Sequence, residues 1–135
     1  PAAPHIPFHL PPSHMYTPTT TGNNTRKFFA MIESLDYDIN RLLASMSTTE
    51  RENTIVIFLG DNGTGGQVLR DYPSGHGKGT IYEGGIGVPM IIAGAGVTRM
   101  GERDSSLINL TDIHATILDI ADISMQGAPR EVHVT

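Results

Sequence analysis

The stretch IVIFLGDNGTGGQVLRDYPSGHGKGTIYEGGIGVPMII, residues 55–92, decides the fold, because it sets two apolar runs at the ends of a glycine-rich loop. The first run, TIVIFL at residues 54–59, is continuous and rich in β-branched residues, which is typical of a strand covered on both faces in a parallel sheet. The second run, VPMIIAGAG at residues 88–96, predicts another buried strand. The loop leaves the first strand at its carboxyl end, which is where open α/β sheets bind ligands.

Helical periodicity flanks the two predicted strands. Apolar residues recur at helical spacing from Thr25 to Met46, and the polar residues 47–53 are expected to end that helix. A second amphipathic pattern runs to Ala121, with a predicted entry near Asn109 or Thr111. We therefore expect an α/β fold in which a mostly parallel sheet is flanked by helices.

The proline and threonine content of the first residues predicts an extended, irregular lead-in over residues 1–24. Residues 25–135 then predict the order helix, strand, long loop, strand and helix. The first residues lack an initiator Met, a basic region and a long apolar region, so we expect no signal peptide there and interpret the sequence as the middle of a longer chain.

Composition excludes several classes of partner. A net charge of -5 and a pI near 5.6 provide no basic field for a nucleic acid or an anionic membrane. No apolar run approaches the roughly 18 residues of a membrane-spanning helix. The chain has no cysteine, which excludes disulfides and thiolate metal sites and leaves the redox compartment unreadable.

Asp61 and Asn62 stand at the end of the first predicted strand and offer one charged and one neutral oxygen donor. Such a pair suits a hard cation, Ca²⁺ or Mg²⁺, better than zinc. The alternative interpretation is a simple Asp-Asn-Gly turn, because Asn and Gly both tolerate left-handed backbone.

Lys78 lies among glycines in the sequence GHGKGT, so an anion could approach its ammonium group and the nearby backbone N–H groups. The stretch is not a P-loop, because Gly79 follows the lysine where that motif needs Ser or Thr. A solvated loop lysine is the alternative. His76 is expected to be a loop hydrogen-bonder, and His5, in a proline-stiffened segment, is a candidate anion donor or general acid.

Four blocks together resemble the carboxyl-terminal half of the catalytic domain of a sulfatase, a family with the alkaline-phosphatase-like fold. They are PHIPFHLPP, ENTIVIFLGDNG, GKGTIYEGGIGVPMII and DIHATILDIAD. The usual sulfatase block has Ser where this chain has Gly60, and commonly has Pro where this chain has Ala115. The order and spacing agree along almost the whole chain, so residues 1–135 are expected to be part of a sulfatase catalytic domain.

The resemblance implies a role for four residues. Asp61 and Asn62 match the family's metal ligands, usually to Ca²⁺. Lys78 matches the lysine that contacts the sulfate ester, and His5 matches the histidine that hydrogen-bonds the sulfate or its leaving oxygen. The substrate implied is a small-molecule or saccharide sulfate ester.

The resemblance also implies that part of the machinery lies outside these residues. The family's nucleophile is a formylglycine made from Cys or Ser in a C/S-x-P-S-R motif, which this sequence lacks. The expected partner is therefore the amino-terminal half of the same protein, and residues 1–135 alone are expected to be inactive. The family implies an exported (periplasmic or secreted) or lysosomal protein.

Two other functions remain open from the sequence. Phosphomonoester and phosphonate hydrolases of the same superfamily act on groups of similar shape, although they often use Asp-His ligand pairs with zinc or manganese, so Asn62 favours a sulfatase. The other alternative is a non-catalytic anion-binding module.

Overall fold

The computed structural model describes residues 4–18 and 22–123. The chain separates into two compact units, Pro1–Met100 and Gly101–Thr135. Parts of the predicted lead-in and everything from residue 124 onward lie outside the described residues. Within the described residues, no helix is both long enough and apolar enough to cross a bilayer.

Helix α1, Asn24–Ser45, corresponds to the apolar spacing that begins at Thr25. Asn23 caps its start, because the Asn23 side-chain oxygen accepts a hydrogen bond from the Arg26 N–H at 3.1 Å. The buried residues of α1 are Ala30 and Met31, and Met31 is only 1% exposed. Burial within this unit therefore anchors the second turn of the helix rather than its whole length.

Helix α2, Thr48–Glu52, forms within the polar stretch that was expected only to end α1. A capping box begins it: the Glu50 N–H donates to Ser47 Oγ at 3.3 Å, and the Ser47 N–H donates to Glu50 Oε2 at 2.7 Å. The backbone and hydroxyl hydrogen bonds from Ser47 hold the pKa of Glu50 below its ordinary value. The S-x-x-E spacing of Ser47 and Glu50 is the sequence pattern that indicates this helix. The polar composition of the stretch does not indicate a helix by itself.

The lead-in residues 4–18 lie along α1. The Phe8 ring meets the Phe28 ring edge-on at 5.8 Å, and the Thr17 N–H donates to the Glu33 carboxylate at 2.5 Å. One turn of 3-10 helix, Ser13–Met15, interrupts the otherwise irregular segment. The lead-in therefore gains its order from contacts with the helix that follows it.

The glycine-rich loop also contacts α1. Asn24 Nδ2 donates to Gln67 Oε1 at 2.9 Å, and the Arg70 guanidinium lies 5.8 Å from the centre of the Phe29 ring. Val68, between those two contacts in sequence, is buried. Residues 67–70 thereby tie the middle of the loop to the beginning of the helix.

Strands β1, Ile55–Leu59, and β2, Met90–Gly94, form the sheet that the described residues contain. They run antiparallel, with Ile55 opposite Gly94 and Leu59 opposite Met90. The ladder continues past both strands through the Gly60 N–H to Pro89 oxygen bond and the Ala95 N–H to Thr54 oxygen bond, each 2.9 Å.

The prediction of a mostly parallel sheet is therefore wrong for the pairing of these two strands. A continuous apolar run indicates that both faces of a strand are covered, but it carries no information about the direction of the neighbouring strand. Each residue of β1 is half-buried, whereas four of the five residues of β2 are exposed. The two apolar runs predict strands that are buried on both faces, and the described residues do not bury them to that extent.

A short helix, α3, Glu83–Ile86, lies in the loop between the two strands. The second unit contains helix α4, Asp112–Ile120. Asn109 and Thr111, the two predicted entry residues, both take part in its start: Asn109 Oδ1 accepts from the Thr111 N–H at 3.1 Å and from the Thr111 hydroxyl at 3.0 Å. The Asn109 N–H in turn donates to the Asp112 carboxylate at 3.0 Å. Ile117 and Ile120 on this helix are about half exposed.

Candidate functional site

Asp61 and Asn62 are the first polar side chains after β1, and both are exposed. The Gly60 N–H to Pro89 oxygen hydrogen bond carries the sheet ladder up to the residue before Asp61. The backbone that presents the two oxygen donors is therefore fixed on one side by the sheet.

Thr64 joins this segment to two distant parts of the loop. The Thr64 N–H donates to the Gly84 carbonyl oxygen at 2.8 Å, and the Thr64 carbonyl oxygen accepts from the Lys78 N–H at 2.8 Å. Gly84 belongs to the short helix α3, Glu83–Ile86. The structure thus brings the backbone of Lys78 to the segment that bears Asp61 and Asn62.

Two glycines allow these segments to approach one another. A Cβ atom at Gly77 would lie 2.5 Å from the Thr64 oxygen, and one at Gly63 would press into the carbonyl groups of Gly84 and Gly85. Real Cβ atoms do not approach so closely. Some of the glycine in the loop is therefore required by backbone packing, in addition to the access for an anion that the sequence suggests.

Lys78 itself is exposed, between the buried Gly77 and the exposed Gly79. The Gly77 oxygen accepts from the Thr80 N–H at 3.2 Å and from the Thr80 hydroxyl at 2.7 Å, which closes the turn around the lysine. Gly79 has φ +86°, a left-handed conformation that favours glycine. The sequence placed the lysine in a loop, and the structure shows that this loop is a closed turn.

His76 was expected from the sequence to hydrogen-bond within the loop, and in the structure its ring makes an aromatic contact. Its ring stacks on the Tyr82 ring, with centroids 3.6 Å apart and planes 5° from parallel. Nothing in the spacing of the two residues signals this pair, because the turn between them has no helical or strand period. Tyr82 is the residue near the candidate site that sequence reasoning missed.

The segment that bears His5 reaches the same loop by another route. Ile6, Pro7 and Phe8 line a cavity of about 520 Å³ together with Asn24 and Gln67, and Gln67 lies in the loop between Asn62 and Lys78.

The His5 ring is exposed, and its Nδ1 lies 2.9 Å from the Ile6 carbonyl oxygen. Because a carbonyl only accepts, a hydrogen bond between these two atoms places the proton on Nδ1 and does not involve Nε2. The described contacts therefore place the chain around His5 beside the loop. The roles of Asp61, Asn62, Lys78 and His5 stay predictions.

The donor set of Asp61 and Asn62 fits part of a hard-cation site, because carboxylate and amide oxygens are the ligands that Ca²⁺ prefers. Within the described residues, no cluster of three or more His, Cys, Asp or Glu side chains could hold a metal ion. The two residues can thus supply only a share of the six to eight oxygens, as an approximate range, that Ca²⁺ takes.

Comparison with known proteins identifies one family. The sequence model of the family described as Sulfatase matches residues 1–123. Arylsulfatase K of Danio rerio is 32% identical over 106 residues, and Arylsulfatase K of Gallus gallus is 28% identical over 117 residues. A protein named Sulfatase from Formosa agariphila is 32% identical over 104 residues.

These matches cover 77%, 80% and 70% of this chain, but only 19%, 21% and 19% of the three relatives. The chain thus spans about a fifth of the length of the curated relatives it matches. No solved structure matches the chain with statistical significance.

The packing of the loop predicts a difference between two glycines that the sequence does not distinguish. Gly63→Ala should lower the thermal unfolding midpoint of the protein, because the new Cβ must displace the Gly84 and Gly85 carbonyl groups. Overpacking of this kind costs about 1–3 kcal/mol. Gly65→Ala is the matched control in the same loop, since a Cβ there meets open space. Equal losses for the two variants would contradict the close approach.

Proposed function

Because the chain belongs to the sulfatase family, whose sequence model matches residues 1–123, we propose that the protein carrying it hydrolyses sulfate esters. We assign residues 1–135 to the carboxyl-terminal half of an alkaline-phosphatase-like α/β catalytic domain. One observation carries the proposal: the Lys78 N–H donates to the backbone carbonyl oxygen of Thr64. This hydrogen bond joins the turn of Lys78 to the segment that bears Asp61 and Asn62.

Lys78 is the residue proposed to contact the sulfate ester. Its ammonium is exposed on a closed turn with glycine on either side, so the compact sulfuryl group can approach it without steric conflict. A fixed positive charge stabilises the negative charge that builds on the sulfuryl oxygens during hydrolysis.

Asp61 and Asn62 are proposed as ligands of Ca²⁺, with Mg²⁺ as the second choice. When bound, such a cation supplies positive charge beside the ester group. The two side chains follow directly from β1, whose ladder fixes their backbone, so the protein provides the rigid support that a binding site needs. The remaining ligands are proposed to come from the amino-terminal half.

His5 is proposed to hydrogen-bond the sulfate or its leaving oxygen. Because Nδ1 donates to the Ile6 oxygen at 2.9 Å, Nε2 is the ring atom available for this contact. The proposed role therefore specifies Nε2 as the ring atom that contacts the ester group.

The nucleophile is proposed to be a formylglycine in the amino-terminal half, because residues 1–135 contain neither Cys nor a C/S-x-P-S-R motif. The substrate class is proposed as a small-molecule or saccharide sulfate ester. An exported (periplasmic or secreted) or lysosomal setting belongs to the same proposal and rests on the family alone.

The proposed function is tested with a generic aryl sulfate, the matching aryl phosphate and the Lys78→Ala variant. We expect hydrolysis of the sulfate, and a fall in kcat/KM on the order of 10² in Lys78→Ala, as for other preorganised electrostatic donors. Arg41→Ala is the control for a lost positive charge, because the Arg41 side chain is 74% exposed in a surface ion pair. Preferred hydrolysis of the phosphate would favour a phosphoester hydrolase, and anion binding without turnover would favour a binding module.

Replacement of Asp61 tests the metal assignment separately. Asp61→Asn removes one formal charge from the proposed ligand set, so the Ca²⁺ concentration for half-maximal activity should rise by about tenfold or more. Asp36→Asn, at an exposed position of α1, should leave the Ca²⁺ dependence unchanged. A Ca²⁺ titration of activity that is identical for the three proteins would remove Asp61 from the metal site.

The assignment of the nucleophile to the other half predicts that residues 1–135 alone are inactive. Removing members of a catalytic unit abolishes most of the rate, because the members act together. The purified 135-residue chain, supplied with Ca²⁺ and the aryl sulfate, should show no turnover above a protein-free blank. Clear turnover would contradict the assignment. The candidate nucleophiles and bases would then be His5, His76 and the serines of this chain.

A further inference from the structure

The rings of His76 and Tyr82 stack on each other from the two ends of the turn that carries Lys78. Lys78 lies between the two rings in sequence, and the ring centroids are only 3.6 Å apart. The chain from residue 76 to residue 82 is thus closed by a side-chain contact as well as by its backbone. We name this His76–Tyr82 contact the ring clasp.

The backbone inside the ring clasp is held at several points. The Lys78 N–H donates to the Thr64 oxygen at 2.8 Å, and the Thr80 N–H and hydroxyl both donate to the Gly77 oxygen. Outside the turn, the His76 N–H donates to the Pro73 oxygen at 3.1 Å. The ring clasp therefore closes a turn whose backbone is already tied to the candidate metal segment.

The two rings stand on a compact base. The backbone carbonyl oxygen of Tyr82 accepts from the Gly85 N–H at 2.7 Å and from the Ile86 N–H at 3.1 Å, and these bonds begin α3. A Cβ at Gly84 would lie 2.6 Å from the His76 oxygen, so the backbone under the two rings is in direct contact. The backbone carbonyl of His76 therefore packs directly against the first turn of α3.

The ring clasp is not a core contact. Tyr82 is 50% exposed, so removing its ring leaves no buried cavity. Buried apolar residues of this unit, such as Met31 and Val68, lie elsewhere in the sequence. Fixing the geometry of the turn is a role that the exposed stack can serve without contributing much to the core.

We propose that His76 and Tyr82 are positioning residues for Lys78, and that the ring clasp fixes the turn so that the lysine ammonium meets the sulfuryl group in productive geometry. The inference rests on the proposed sulfatase function. A lysine has a long, flexible side chain, so its ammonium is placed well only if its backbone is fixed. A displacement of about 1 Å at a positioning group can lower a rate by about 10².

Ring-removing and ring-keeping variants separate the ring clasp from other effects. Tyr82→Ala and His76→Ala remove the stack, whereas Tyr82→Phe and His76→Phe keep a ring at each position. Tyr37→Ala is the matched control, because Tyr37 makes another His–Tyr ring contact, with His14 on the lead-in, edge-on at 5.7 Å. The variants are made in the full-length protein.

The first measurement is hydrogen–deuterium exchange of the peptide that contains residues 76–82, which does not depend on activity. We expect exchange to be roughly tenfold faster in the two ring-removing variants, because local opening of the turn becomes easier. The ring-keeping variants and Tyr37→Ala should match the unmodified protein. Unchanged exchange in both ring-removing variants would overturn the ring clasp.

The second measurement is the separate determination of kcat and KM on the aryl sulfate. We expect kcat to fall about ten- to a hundredfold in the ring-removing variants, with KM changed much less, and we expect most of kcat to return in the ring-keeping variants. The thermal unfolding midpoint should stay close to that of the unmodified protein. Normal kcat in ring-removing variants, with Lys78→Ala impaired, would overturn the positioning role.

Failure of the proposed function has a different signature. If the unmodified protein hydrolyses no sulfate ester, the sulfatase proposal fails and the positioning role, which depends on it, is overturned with it. The exchange measurement still decides whether the ring clasp orders the turn. A parallel loss of kcat and thermal stability in both ring-keeping and ring-removing variants would also overturn the positioning role, because it would indicate a general packing contribution.

Discussion

The backbone of Thr64 joins three parts of the glycine-rich loop, and the proposed site depends on this junction. Both backbone groups of this one residue are bonded: the Thr64 N–H donates to the Gly84 carbonyl oxygen, and the Thr64 carbonyl oxygen accepts from the Lys78 N–H, each at 2.8 Å. A Cβ at Gly63 or Gly77 would collide with the backbone that lies beside these hydrogen bonds, so the arrangement requires glycine at both positions. Glycine in this loop is therefore required for backbone contact at these positions, in addition to the access for an anion that we propose around Lys78.

The antiparallel pairing of β1 with β2 explains why the parts of the loop can meet at all. Leu59 pairs with Met90, so the loop of residues 60–89 begins and ends at the same end of the sheet. A parallel pairing would return the chain to the opposite end. The hydrogen bond from the Gly60 N–H to the Pro89 carbonyl oxygen holds the two ends of the loop together next to Asp61. Thr64 then bonds the interior of the loop to this end of the sheet.

Helix α1 supports the loop from its other side and links it to the lead-in. Its first turn bonds Gln67 through Asn24, and its Phe28 ring contacts Phe8 of the segment that bears His5. A stiff, proline-rich segment thereby reaches the neighbourhood of the loop without belonging to a regular element. The proposed site consequently draws its groups from a strand end, a turn and an irregular segment, which only tertiary contacts can bring together.

The sequence by itself determined the local chemistry, because residue type and order express it directly. The apolar run before Asp61 and the glycines around Lys78 are visible in the printed chain, and four sequence blocks indicated the family that the comparison also identifies. The direction of β2 and the stacking of His76 on Tyr82 were decided only by the tertiary structure. Strand direction depends on how a long loop closes, and ring contacts across a turn follow no sequence period, so neither quantity is written in the local pattern.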